Sequence, residues 1–166
     1  MSIAVESLLE LKWREGKSFL FLYTNLTLAG GATDRIAICT NDVNITIESI
    51  NVQSDADSLS WKPYLGTDMT KGSGTAIAEI PRNINAATIS SVTSEVNPTI
   101  ADAGTPFFAN PVNIPGQQAS GGNSFIDTDI IENLFSLRKN LCHLIDLKNN
   151  DTGAVSYTIA INIFKD

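Results

Sequence analysis

The chain is poor in the residues from which reactive sites are usually assembled. It has one histidine and two cysteines in 166 residues. With a single imidazole and no CxxC pair, four Cys/His ligands for a structural zinc cannot be brought together, and no metal or cofactor is expected. Charge is sparse at 17%, against roughly 25% in ordinary soluble domains. The formal net charge is −7 and there is no basic run. Binding to nucleic acid or to an anionic membrane is therefore not expected. No apolar stretch approaches the roughly 18–20 residues of a membrane span. The opening MSIAVESLLELKWREGK lacks the basic start and apolar block of a secretory leader, so synthesis in the cytoplasm is expected. A Walker A loop, GxGxxG, HExxH and the GxSxG nucleophile elbow are all missing.

What remains is rich in Asn, Thr, Ser and Gly, a palette for turns and half-buried strands. The clearest element is AVSYTIAINIFK near the C-terminus. Val155, Tyr157, Ile159, Ile161 and Ile163 share one parity, with Ser156, Thr158, Ala160 and Asn162 on the other. Period two with β-branched residues predicts a strand. NLCHLIDLK alternates in the same way, and NNDTG between the two runs predicts a C-terminal hairpin. In VNITIESINVQ the apolar parity switches between Ile47 and Ile50. A strand whose face changes midway needs an extra residue, so a β-bulge is expected near Glu48–Ser49. Pro63 in SLSWKPYLG has no backbone donor and predicts an edge or bulge there. VESLLELKW fits either period, and DTDIIENLFSL could open a short helix at Asp127 or Asp129. TDMTKGSGT reads as a loop, with GSG a plain flexible one. PGQQASGGNS reads as an exposed, mobile tip.

Eight to ten short strands with turn signals between them predict one all-β domain, an antiparallel β-sandwich or jelly-roll-like fold. It spans residues 16–166, behind an N-terminal arm at residues 1–15. Parallel βαβ architecture is disfavoured, because no long amphipathic helices alternate with the strands.

Candidate chemistry is thin. His143 shares parity with Leu141 and Ile145, which predicts a packed ring within a sheet and not a catalytic base. Asp55/Asp57 and Asp127/Asp129 are carboxylate pairs. They read as turn acids, because the further ligands and glycine of a calcium loop are missing. Trp13, Trp61, Tyr23 and Tyr64 could line a sugar-binding face or fill a core. Cys39 and Cys142 read as buried free thiols, with a disulfide as the alternative.

The stretch GSGTAIAEIPRNINAATISSVTSEVNPTIADAGTPFF resembles a family of small tailed-bacteriophage virion proteins. Gly74–Thr75, the Pro81–Arg82–Asn83 turn, Pro98–Thr99, Ala103–Gly104–Thr105 and Gly121–Gly122 follow that family's succession of turns. Leu141–Phe164 stands for its closing hairpin, and a weaker echo runs from Gly16 to Val52. The ending IFKD and the N-terminal arm depart from the pattern. The resemblance implies a β-rich structural protein without enzymatic activity that decorates or stabilises the capsid. Its place is then the virion, and its partner the major capsid protein or another virion protein. Homo-oligomers are expected, with a trimer favoured because three-fold contacts suit an icosahedral lattice. On that reading the candidate interface is Leu8, Leu9, Leu11 and Trp13 of the arm, with Gly116, Gln117, Gln118, Gly121 and Gly122 of the loop. The alternative is a tail, baseplate or fibre module that binds host glycan or protein.

Overall fold

The computed structural model describes residues 15–83, 85, 91–116 and 135–165. Two packed antiparallel sheets and a small ribbon make up the fold, all-β as the alternating runs predict. The first sheet is built on the long C-terminal strand. Its order is β12 (Phe135–Leu137), β3 (Ile45–Ser54), β14 (Val155–Lys165), β1 (Ser18–Leu28) and β7 (Glu79–Pro81). The second sheet runs β10 (Thr105–Pro106), β4 (Leu59–Leu65), β13 (Cys142–Asn149), β2 (Thr33–Thr40), β8 (Val92–Val96) and β6 (Thr75–Ile77), with β11 (Val112–Asn113) also pairing β4. The ribbon pairs β5 (Asp68–Thr70) with β9 (Thr99–Asp102).

Between the sheets lies one apolar core. Phe19, Phe21, Tyr157, Ile159, Ile161 and Ile163 enter it from the first sheet; Ile36, Ile38, Leu59, Trp61, Ile145 and Leu147 enter it from the second. Each such side chain, fully buried, stabilises the fold by about 1.5–3 kcal/mol before conformational entropy is counted. Ser156, Thr158, Ala160 and Asn162 on the opposite parity are only half-buried, as alternation requires.

The parity switch in β3 has the expected cause. Asn162 pairs with Ser49 but Ile163 pairs with Ile47, so Glu48 is the extra residue. The bulge returns Ile45 and Ile47 to the core beside Ile50 and Val52. Pro63 lies where it does no harm. Its carbonyl accepts from Phe107 N–H, so its donor-less nitrogen faces the same side, in the break between β10 and β11.

Two expectations are corrected. The C-terminal hairpin is instead an arch: β13 pairs with β2 and β4, whereas β14 pairs with β1 and β3. The 150–154 turn therefore crosses the core and does not close a two-stranded ladder. Both strands bury the same parity, so each can face the core from its own sheet. The cysteines are likewise not free. Cys39 and Cys142 sit directly opposite one another on β2 and β13 and form a disulfide. Thr40 N–H donates to Leu141 O, which places the cysteines at a non-hydrogen-bonded pair. That is where paired strands come closest, and the Cα atoms are 4.1 Å apart. The disulfide lies on the outer face of its sheet beneath the β5–β9 ribbon, with Met69 Sδ 3.6 Å from Cys39 Sγ.

Candidate functional surfaces

Three arches meet at one end of the sandwich: 29–32 between β1 and β2, 55–58 between β3 and β4, and 150–154. A single buried side chain joins two of them. The Asn149 amide donates to Leu28 O, Ala29 O and Gly153 O at 3.1, 3.2 and 2.7 Å, and its oxygen accepts from Asp151 N–H. Asn150 ties in the third through Ser58 O and Ser60 Oγ. The backbones are in contact as well: a Cβ on Gly30 would lie 2.2 Å from Thr152 O. The exposed rim of this end carries Asp55, Asp57 and Asp151. Asp55 accepts from Ser156 N–H and Oγ–H, and Asp57 accepts from Gly116 N–H. These are turn acids, as expected.

Deeper in, Asp34 is buried and fully engaged. Oδ2 accepts from Tyr157 Oη–H and Asn25 Nδ2, each at 2.6 Å, and Oδ1 accepts from Asn97 Nδ2 at 2.9 Å. Because Asp34 belongs to the second sheet and Asn25 and Tyr157 to the first, this is a polar tie between the sheets. Burial, then the Asp34 carboxylate, pushes the Tyr157 phenol well above its ordinary value.

His143 faces the core opposite Leu65 and Ile38. Its Nδ1 lies 3.0 Å from Tyr64 O. Burial holds its pKa below the ordinary 6.5, with the Tyr64 carbonyl acting in the opposite direction. The void it shares with Ile47, Ile50 and Pro63 measures about 10 Å³, no more than the least that a single water molecule needs, about 10–15 Å³.

Two larger hollows exist among the described residues. One, of about 740 Å³, opens between the sheets where β6 passes to β7. Phe21, Ile77 and Val92 form its floor, and Lys71, Glu79 and Glu95 stand around it. Glu95 is buried, and its two oxygens accept from Gly72 N–H and Gly74 N–H. The GSG segment expected to be a flexible loop is thus a turn held by a carboxylate. The other hollow, of about 210 Å³, lies on the outer face of the second sheet beside Tyr64, Lys62, Asp146 and Lys148. Arg35 Nε lies 3.7 Å from Asp146 Oδ1, and the Lys62 ammonium sits 5.5 Å from the Tyr64 ring centre. Burial pushes the Asp146 carboxyl up, opposed by Arg35, Tyr64 and Lys62.

Of the residues the sequence singles out, Leu8, Leu9, Leu11, Trp13, Gln117, Gln118, Gly121, Gly122, Asp127 and Asp129 lie outside the described residues. Nearly all of the arm does too, as does most of the DTDIIENLFSL stretch in which a short helix is expected; its described end, Phe135–Leu137, is the strand β12 and not helix. Gly116 is described. It is buried, and a Cβ there would meet the Ala56 backbone at 2.4 Å, so it packs within the arch end. Trp61 belongs to the core, edge-on to Phe108 with ring centres 6.0 Å apart. Tyr23 is half-buried against Tyr157, and Tyr64, with Trp61, lines the smaller hollow. Sequence reasoning missed Asp34, Glu95, Asn149 and the Lys62–Asp146–Arg35 row, because each acts across strands whose pairing no local pattern reveals. No protein-family model, curated protein or solved structure matches the chain.

Proposed function

We propose that this protein is a non-enzymatic structural component of a phage virion, a jelly-roll-like sandwich that stabilises the capsid by binding the assembled head lattice. The observation that carries the reading is the arch end. Three turns joining six strands of both sheets are fixed to one another by Asn149 and Asn150, which makes a rigid presentation surface. A protein that binds only the assembled lattice stabilises it by mass action, and repetition around a symmetric site multiplies the effect through effective concentration. The turn pattern from Gly74 to Thr105 and the resemblance it carries support the same reading. The Cys39–Cys142 disulfide suits a protein whose working life is outside the reducing cytoplasm, since disulfides persist on virion surfaces.

Immunogold labelling and quantitative mass spectrometry of purified particles test the proposal. Stoichiometric signal over the head is expected. Signal at the tail tip alone supports the glycan- or protein-binding alternative, and absence from particles rejects both.

A further inference from the structure

We propose that a basic patch on the outer face of the second sheet receives the acidic arch end of a second copy of this chain. Lys62, Asp146 and Arg35 form one cross-strand row on β4, β13 and β2. Lys148 lies diagonal to Lys62 on the same face, since Lys148 pairs with Ser60. Diagonal neighbours in a sheet are about 7–8 Å apart. Three cations thus surround one carboxylate, which is already paired with Arg35. No carboxylate lies within salt-bridge distance of Lys62 or Lys148 among the described residues. Like charges gathered this closely repel unless an anion joins them. In a chain of net charge −7 this is an inverted local field.

The hollow beside the patch has the size for an acidic side chain. At about 210 Å³ it falls below the roughly 300–1,000 Å³ of small-molecule pockets. The Thr33 and Ser60 side chains line it together with the lysines.

The matching partner is on the same molecule. The arch sequences AGGA, SDADSL and NNDTGA contain three carboxylates and no Lys or Arg. Asp55, Asp57 and Asp151 are exposed, on a surface that Asn149 has already ordered. Little conformational freedom is lost when such a surface docks. Patch and arch end are different surfaces, so the contact is head-to-tail and closes into a ring where the rotation permits. This inference rests on the charge layout and stands independently of what the assembled protein binds.

Sedimentation velocity on the full chain tests it. In about 50 mM salt the mass is expected to rise with protein concentration. In about 500 mM salt, where exposed charges are screened beyond roughly 4–5 Å, it is expected to fall to the monomer. The double variant Lys62→Glu/Lys148→Glu should weaken self-association at least about 100-fold, and so should Asp57→Lys/Asp151→Lys. Mixing the two variants should restore it, because each then meets an oppositely charged surface. Lys62→Arg/Lys148→Arg should associate like the parent, and melting curves confirm that each variant is folded. A parent that stays monomeric in low salt overturns the proposal. So does an oligomer indifferent to both reversals, or a mixture that fails to associate.

Discussion

Replacing both cysteines, Cys39→Ala with Cys142→Ala, tests the fold where the sequence was least informative. The crosslink closes a loop of 103 residues in sequence. In the chain-entropy treatment a loop of about 100 residues raises the free energy of the unfolded chain by about 4.7 kcal/mol at 25 °C. Measured losses on removing native disulfides run lower, about 2–5 kcal/mol. The alanines also remove two sulfurs from sites that are 1% and 6% exposed, which adds a smaller cavity cost. The expected loss is therefore about 3–5 kcal/mol. For a domain of this size each kcal/mol moves the melting temperature by about 2–4 °C, so a fall of about 6–20 °C is predicted. The single variants should lose nearly as much as the double, since either one opens the loop. Calorimetry of the oxidised protein, the reduced protein and the variants reads this directly, and thiol titration before and after denaturation counts the free sulfurs. If the native protein titrates two thiols, or the oxidised and reduced forms melt within about 2 °C of each other, the register linking β2 to β13 is wrong and the argument fails with it.

Asp34→Ala strands the Tyr157 hydroxyl and the Asn25 and Asn97 amides; a loss of about 2–4 kcal/mol is expected in urea denaturation, and Tyr157→Phe, which leaves the carboxylate two donors, should lose less. Deleting Glu48 alone removes the bulge residue and leaves Ile45, Ile47, Ile50 and Val52 on one parity of a regular strand, so a cooperative unfolding transition should remain; deleting Glu48 and Ser49 together puts Ile47 next to Ile50 and throws Ile45 and Ile47 onto the outer face, and no cooperative transition is expected. His143 is held neutral by burial in the folded protein and is free to protonate once unfolded. Its contribution to stability should therefore be complete above the ordinary histidine pKa of 6.5 and fall as pH drops below it, by at most about 1.4 kcal/mol per pH unit. Denaturation between pH 7 and 5 should show that slope in the parent, and His143→Leu should flatten it.

The residues that announced themselves did so through local parity. The alternation in AVSYTIAINIFK fixes which side chains face inward whatever strand lies alongside, and the alternation in NLCHLIDLK places His143 in the core for the same reason. The switch between Ile47 and Ile50 can be resolved only by one added residue, so the bulge at Glu48 was legible before any partner strand was known. Pairing was not. NNDTG serves a hairpin and an arch equally well, and the buried parity of β13 and β14 is the same in either case. The disulfide, the Asp34 tie and the Lys62–Asp146–Arg35 row each depend on register between distant strands. A search for local motifs therefore returned Asp55/Asp57, which cap turns, and passed over Asp146, which sits in a charged hollow. Asn149 looked like one more turn asparagine. Only burial reveals that it holds two arches together.

That arrangement bears on how the molecule could act. The strands β1 to β4 alternate between the two sheets, and so do β13 and β14, so each of the three arches is a bridge over the core and not a flap at its edge. Displacing one would pull Leu28, Leu59 or Val155, all buried, away from their neighbours, and would leave the carbonyls that Asn149 satisfies without a donor. The arch end is therefore as stable as the sandwich itself. For a protein whose task is to hold other copies or a lattice in place this is favourable physics, because a surface ordered before contact loses little entropy on contact. It also separates the two kinds of substitution that would abolish assembly. Asn149→Ala should loosen the end, lowering stability and binding together. Asp57→Lys/Asp151→Lys should reverse its charge and lower binding with the melting temperature changed by no more than a few degrees.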